Sequence, residues 1–298
     1  MHMKKAVSHK FPNAAILLLF AAGTFFFSSC ETNADVDVPE VPSKLVLSCF
    51  LTPQDTLIEV RVTKSRPIFQ VSQTDINAPV TDATVRLFGN SGSVQLNYDA
   101  TLERYTVPAS QFPIISGNEY RIEVSAPQVE TVSATTSIPD PAPADFDMTM
   151  TYTIDSTNMY NWNYVLDVNT SFTDFPGSGD LYRLTGKLLV YQPAASDTVS
   201  RSFGSEFYND ANGDGAIVAR EGSPQFSVSA PALGGDRPVA LVTYLMRCSY
   251  EYYTYHVALD NYNQGGDPFS EPTLMYSNVN GGYGIFAGAC YVQKRINF

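Results

Sequence analysis

Apolar and polar residues alternate in short segments along most of the chain. Residues 56–63 (TLIEVRVT) and residues 161–172 (NWNYVLDVNTSF) place apolar side chains at every second position. This period of two is typical of a β-strand with one buried face. Similar segments recur about every ten residues between turns rich in Gly, Asn and Asp, as expected of a β-sandwich. The pattern therefore predicts a mostly β protein with at most one or two short helices.

Three prolines divide the strand-rich sequence into two blocks. Pro139, Pro141 and Pro143 stand at alternate positions, and proline cannot donate a hydrogen bond to a neighbouring strand. We expect a domain boundary at this segment. The predicted divisions of this part of the chain are a β-sandwich over residues 44–139, a linker over residues 140–147 and a second β-rich domain over residues 148–298.

One segment departs from the strand pattern. Residues 249–262 (SYEYYTYHVALDNY) contain neither Gly nor Pro, and their length fits a helix, although their tyrosines also fit a strand. Ser249 is a favourable residue for a helix start, and Gly265 and Gly266 follow as a stop signal. We predict a helix that begins at Ser249.

The first thirty residues have the character of an export signal. Residues 1–13 carry three lysines and no acid, and residues 14–27 are an apolar run of fourteen residues. At about 1.5 Å per residue this run is too short to cross a hydrocarbon core of about 30 Å. Ser28, Ser29 and Cys30 follow, and the tetrapeptide FSSC resembles a lipobox, whose cysteine is lipidated.

These features predict a lipoprotein of the cell envelope. Residues 1–29 would be a cleaved signal peptide, Cys30 the lipidated residue and residues 30–43 a flexible tether. Stable anchoring needs more than one acyl chain, since each buried CH₂ contributes about 0.8 kcal/mol. We expect the protein to contact the membrane through this lipid, at the outer membrane and on a face that the sequence leaves open.

Net charge argues against one class of partner. The chain has 18 Lys+Arg and 30 Asp+Glu, which gives a formal net charge of −12. Affinity for nucleic acids comes mostly from cations that neutralise phosphates. We therefore expect no nucleic-acid partner.

A candidate calcium loop lies in the second block. Residues 210–221 (DANGDGAIVARE) match the pattern D-x-[DN]-x-[DN]-G-x₅-E of calcium-binding loops. The predicted ligands are Asp210, Asn212, Asp214, the carbonyl of Ala216 and Glu221. Gly222 and Pro224 oppose a helix after the loop, so the alternative is a hairpin loop rich in Asn, Asp and Gly. Calcium is the one cofactor that the sequence suggests.

Catalytic motifs are scarce. If the signal peptide is removed, His256 is the single histidine of the chain. The chain has no G-x-S-x-G, H-E-x-x-H or G-x-x-x-x-G-K-[ST] pattern. We expect a protein that is not an enzyme. A pair of carboxylates could still hydrolyse a glycosidic bond, and no pair stands out among thirty acids.

Cysteines and tyrosines offer two further candidates. Cys248 and Cys290 are the pair we would test first for a disulfide, with buried free thiols as the alternative. A cluster of tyrosines would form an interaction surface for a glycan or a receptor, with core packing as the alternative. The clustered residues are Tyr250, Tyr252, Tyr253 and Tyr255.

Two stretches carry a resemblance to a known family. They are residues 116–139 (SGNEYRIEVSAPQVETVSATTSIP) and residues 265–288 (GGDPFSEPTLMYSNVNGGYGIFAG). Both resemble the Bacteroidota lipoprotein family catalogued as domain of unknown function 4249 (DUF4249). The resemblance implies an N-terminal immunoglobulin-like β-sandwich, a lipobox and no recorded activity. It specifies no catalytic residues.

The same resemblance suggests a setting for the protein. Genes of this family often lie beside those for TonB-dependent outer-membrane receptors, which implies an accessory role in uptake by analogy alone. We therefore expect a non-catalytic binding or accessory module of such a system. The alternatives are a glycan-binding or carbohydrate-active surface protein and a structural envelope lipoprotein.

Overall fold

Alternating residues form strands where the sequence predicts them. In the computed structural model the segment Leu57–Lys64 is a strand in which Ile58, Val60 and Val62 are buried. The structure describes residues 42–66, 78–155, 161–221, 226–231, 235–264 and 274–298. The predicted signal peptide, lipidated Cys30 and nearly all of the predicted tether lie outside the described residues. No helix in these ranges is long and apolar enough to cross a membrane.

Most strands belong to one large sheet. Its strands, in chain order, are β1 (Leu45–Leu51), β2 (Leu57–Lys64), β3 (Thr84–Gly89), β4 (Gly92–Asp99), β5 (Arg104–Pro108), β6 (Glu119–Ser125), β7 (Val132–Ser137), β10 (Leu181–Gln192), β11 (Asp197–Asn209), β14 (Arg237–Cys248) and β15 (Tyr283–Asn297). The spatial order is β11-β10-β14-β15-β1-β2-β5-β4-β3-β6-β7.

A second sheet is built around one long strand. Its strands are β8 (Asp147–Asp155), β9 (Asn161–Thr173), β12 (Ile217–Arg220) and β13 (Phe226–Pro231). β9 pairs antiparallel with all three of the others. The described residues are thus mostly β, as the sequence predicts, whereas the immunoglobulin-like sandwich stays a prediction.

One parallel pair joins the beginning and the end of the described chain. β15 lies parallel to β1, with Leu47 opposite Gly284 and Cys49 opposite Phe286. Phe286 and Cys290 are therefore part of the same buried cluster as Leu47 and Cys49. Residues from both predicted domains share this sheet and this core, and the residues from Pro42 to Phe298 form one compact unit. The division into two domains stays a prediction.

The predicted helix is confirmed. α1 (Tyr250–Gln264) begins directly after Ser249 and ends directly before Gly265. The Ser249 Oγ accepts a hydrogen bond from the Tyr252 amide at 3.2 Å, which satisfies one of the free amide groups of the first turn. The predicted start signal is therefore used, whereas Gly265 and Gly266, the predicted stop signal, lie outside the described residues.

The C-terminal strands of the large sheet are covered on both faces. Met246 and Cys248 of β14 pack with Tyr252 of α1 on one face. Leu241 of β14 faces the other way and packs with Leu166 of the second sheet. Residues along a strand alternate between its two faces. β14 is apolar at most positions, as expected of a strand that is covered on both faces.

Candidate functional site

A cleft of about 550 Å³ lies on the outer face of β1, β2 and β5. Pockets for small ligands commonly measure about 300–1,000 Å³. Its lining residues are Ser48, Cys49, Phe50, Asp55, Thr56, Leu57, Glu59, Arg61 and Arg104. Most of them are polar or charged, which distinguishes this cleft from the apolar pockets that small hydrophobic ligands prefer.

Strand register brings the charged side chains together. Ser48 lies opposite Arg61 across the β1–β2 pair, and Glu59 lies opposite Thr106 across the β2–β5 pair. Val60, between Glu59 and Arg61, points into the core and is fully buried. Because neighbours on a strand face opposite sides, Glu59 and Arg61 both face outward into the cleft.

The charges of the cleft are balanced. Arg104 makes an ion pair with Glu59 from the neighbouring strand. Asp55 enters from the turn between β1 and β2, and partial burial raises the pKa of its carboxyl, with the charge of Glu59 acting in the same direction. The lining thus holds two guanidinium groups and two carboxyl groups. The cleft has no formal excess of either sign, in a chain whose net charge is −12.

A cluster of aromatic side chains lies along one edge of the cleft. The ring of Phe50 lies 5.1 Å from His256, 5.4 Å from Tyr252 and 5.8 Å from Tyr255, measured between ring centroids. Tyr252 precedes Tyr255 by three positions and His256 by four, so the three side chains share one face of α1. Contacts of this kind restrict the motion of Phe50 at the edge of the cleft.

His256 is packed rather than poised for proton transfer. Its ring stacks on Tyr252 with 4.2 Å between centroids, and its Nδ1 lies 2.9 Å from the Tyr252 carbonyl oxygen. Burial lowers the pKa of His256 to about 4, and the charge of Arg183 acts in the same direction. The imidazole is therefore neutral at pH 7.

The four predicted surface tyrosines do not form one exposed surface. Tyr252 is buried, its hydroxyl accepts a hydrogen bond from Arg183 at 2.9 Å, and burial raises its pKa to about 12. Tyr253 and Tyr255 are half-buried, and Tyr250 alone of the four is exposed. A helix advances about 100° per residue, so consecutive tyrosines cannot all face solvent. Tyr252 is thus packed in the core, which is the alternative that the sequence analysis gave for these tyrosines.

The predicted Cys248–Cys290 disulfide is absent from the structure, which has free, buried thiols at both positions. Cys248 lies opposite Ala289, and Cys290 lies opposite Arg247. The two cysteines therefore face opposite sides of the sheet, because side chains alternate along a strand. Cys248 packs on the α1 side, whereas Cys290 belongs to the core around β1.

Three of the predicted calcium ligands accept hydrogen bonds from the backbone of residues 174–180. Asp210 accepts hydrogen bonds from the amides of Gly179 and Asp180, at 2.5 and 3.2 Å. Asp214 accepts from the amide of Gly177 at 2.8 Å, and the carbonyl of Ala216 accepts from the amide of Asp174 at 3.0 Å. These oxygens connect residues 174–180 to the loop after β11.

Glu221 does not close a coordination shell with the others. It directly follows β12, whose four residues are extended, so it lies on the order of 16 Å along the chain beyond Ala216. It lines a separate pocket with Asp147 and Thr170. Among the described residues no group of three or more His, Cys, Asp or Glu side chains is placed to hold a metal ion. The side chain of Asn212 lies outside the described part, and calcium binding stays a prediction.

Loss of the Asp210 carboxylate is expected to destabilise the protein without any metal. Asp210→Ala removes the acceptor for two amides, and each such bond to a charged group contributes about 1.5–3 kcal/mol. We expect a melting temperature several degrees lower in chelator-treated protein, with a smaller loss for Asp210→Asn, which keeps one oxygen acceptor. An unchanged melting temperature for Asp210→Ala would contradict this role.

Added calcium tests the metal prediction separately in the same assay. If the loop binds calcium, millimolar Ca²⁺ raises the melting temperature of the wild-type protein, and Asp214→Ala abolishes that rise. A rise of equal size in Asp214→Ala would exclude this loop as the binding site.

No sequence pattern indicated the cleft. Glu59 and Arg61 were visible as the polar half of an alternating strand, but the solvated face of an ordinary strand looks the same. Arg104 is 45 residues from Glu59 in sequence. The ion pair depends on the β2–β5 register, and local sequence patterns do not specify that register.

The described part of the C-terminal family motif makes hydrogen bonds that stabilise the fold. Asn278 donates to the carbonyls of Thr135 and Phe286, at 3.1 and 2.8 Å, and accepts from the Phe286 amide at 3.0 Å. The Ser277 Oγ accepts from the Gly284 amide at 3.1 Å. These bonds fix the entry of β15 beside β7 and β1. Residues 268–272 (PFSEP) of the same motif lie outside the described residues.

The fold and the cleft define a mostly β protein with a polar cleft on an open sheet face. The family described as Domain of unknown function (DUF4249) matches residues 31–295. The chain therefore belongs to this family, as the two motifs indicated. A comparison with curated proteins finds no match.

Proposed function

We propose that the protein is a lipid-anchored cell-envelope protein that serves as a non-catalytic binding module of an outer-membrane uptake system. The observation that carries the proposal is the polar cleft on β1, β2 and β5. Three of its four charged groups, Glu59, Arg61 and Arg104, lie on paired strands, and α1 packs against its aromatic border. A site built on regular elements is preorganised, which reduces the entropy lost on binding.

The state of the reactive side chains supports binding rather than catalysis. A general base needs a pKa near the working pH, and burial has moved that of His256 to about 4. A nucleophilic cysteine needs a lowered pKa, whereas burial raises the pKa of the Cys49 and Cys248 thiols.

The sequence before β1 supports an anchored body. β1 begins at Leu45, fifteen residues after Cys30. A chain of that length spans at most roughly 50 Å. Lipid at Cys30 would keep the start of β1, the strand that carries part of the cleft, within that distance of the membrane, where an outer-membrane receptor is also found.

Receptor capture and solute uptake test this proposal together. We expect cross-linking in intact cells, followed by capture of the native protein, to enrich a TonB-dependent receptor. We also expect a deletion strain to grow more slowly when one particular nutrient is limiting. Reintroduced wild-type protein restores growth, and Arg104→Ala does not restore it, because the cleft is altered.

The matched control for that strain is Arg121→Ala, which breaks the exposed Arg121–Glu123 ion pair on β6, outside the cleft. This variant is expected to restore growth fully. Unchanged uptake in the deletion strain, together with no enriched receptor, would refute the proposal. Damage to the envelope without any nutrient-specific defect would favour the structural alternative.

A further inference from the structure

We propose that the cleft on β1, β2 and β5 binds a neutral, hydroxyl-rich ligand, that is, a saccharide. This inference rests on the proposed binding function and specifies its ligand class. It follows from three features of the described residues: the balance of charge in the cleft, the close mixture of donors and acceptors, and the fixed aromatic ring at the border.

Charge balance disfavours ions as ligands. An anion drawn to Arg61 and Arg104 would also lie close to Glu59 and Asp55, and a cation would meet the converse problem. The net charge of −12 further repels anions from the whole molecule. A neutral ligand meets none of these repulsions.

Donors and acceptors alternate over short distances in the cleft. Arg104 offers N–H donors beside the Glu59 carboxylate, which only accepts. A hydroxyl group both donates and accepts, so neighbouring hydroxyls satisfy a guanidinium and a carboxylate at once. Hydrogen bonds with one charged partner are roughly twice as strong as neutral ones. Ser48 and Thr56 add hydroxyl groups of their own to the lining.

A zwitterionic peptide is the nearest competitor. Its terminal charges would need separate partners, yet Arg104 and Glu59 are already joined in an ion pair. A peptide whose termini bind Arg104 and Glu59 would have to break that pair, whereas hydroxyl groups bond to the outer edges of both side chains and leave it intact. The existing pair therefore favours the saccharide.

The aromatic border adds an apolar contact of the right kind. Phe50 lines the cleft while His256, Tyr252 and Tyr255 hold its ring in place. The C–H faces of a sugar ring are apolar, and burying them against an aromatic side chain is favourable. A fixed ring loses little entropy on binding.

Calorimetry on the detergent-solubilised full-length chain tests the ligand class. The probes are four neutral trisaccharides (maltotriose, cellotriose, xylotriose and mannotriose), with trigalacturonate and triglycine for comparison. We expect at least one neutral trisaccharide to bind and the two charged probes to bind more weakly. Because the ligand is uncharged, its affinity should change little between about 50 and about 500 mM salt.

Paired variants locate the binding. Glu59→Gln and Arg104→Ala are each expected to weaken trisaccharide binding at least about tenfold. Glu123→Gln and Arg121→Ala alter an exposed pair of the same residue types on β6 and are expected to bind normally. Melting temperatures close to that of the wild type confirm that the cleft variants fold.

Three results would overturn the inference: no binding of any neutral trisaccharide, tighter binding of triglycine or trigalacturonate, or unchanged affinity in both cleft variants. Receptor capture and nutrient-specific uptake distinguish this failure from failure of the wider function. If both persist while trisaccharides fail to bind, the ligand class is wrong and the binding module stands.

Discussion

Gly284→Ala is expected to lower the free energy of unfolding by about 4 kcal/mol or more, the range in which single substitutions become exceptional. Gly284 lies opposite Leu47 in the parallel β1–β15 pair, with φ at +116°. A Cβ at this position would overlap the Leu47 carbonyl oxygen. Because that oxygen belongs to a buried strand, relief would require β1 and β15 to separate. Denaturant unfolding of the purified protein measures the loss.

Gly92→Ala is the matched control for this substitution. Gly92 has a similar φ of +111°, but a Cβ there would have no neighbour within 4 Å. Gly92→Ala therefore costs only the backbone strain of an L-residue at positive φ, about 1–3 kcal/mol. A loss for Gly284→Ala no larger than that for Gly92→Ala would show that the close approach of β15 to β1 is unimportant.

Cys30→Ser is expected to move the protein from the membrane fraction to the soluble fraction almost completely. Serine has no thiol to carry the predicted lipid, and each acyl CH₂ withdrawn from the membrane removes about 0.8 kcal/mol of binding. Fractionation of cells, with mass spectrometry of the N-terminal peptide, measures both the location and the modification.

Ser28→Ala provides the comparison, because it keeps a small residue before the cysteine and leaves the thiol in place. This variant should stay in the membrane fraction and carry the lipid. A Cys30→Ser protein that remains membrane-bound, or a native N-terminus without lipid, would contradict the anchored location and with it the proposed setting of the cleft.

Local patterns were enough to predict the strands and the helix. The alternation of Glu59 and Arg61 with buried Val60 specifies an exposed and a buried face within a few residues. Ser249 and Gly265 likewise mark the two ends of α1. The family motif was visible for the same reason, since its residues are close together in sequence.

Local patterns were insufficient where a residue's partner is distant in sequence. The aspartates of residues 210–214 match a calcium loop, and the structure pairs them with the amides of residues 177–180, at least thirty positions earlier. Cys248 and Cys290 both lie in apolar segments, and only the β14–β15 register shows that they face different clusters.

The sequence by itself determined a mostly β chain, the position of its helix, its acidic charge and the residues that identify its family. The tertiary structure alone decided that the last strand lies beside the first, that Arg104 meets Glu59 and that Phe50 borders a polar cleft. The reason is physical: the alternation that predicts a strand is read within a few residues, whereas the cleft depends on strand order and register, which the packing of the whole chain sets.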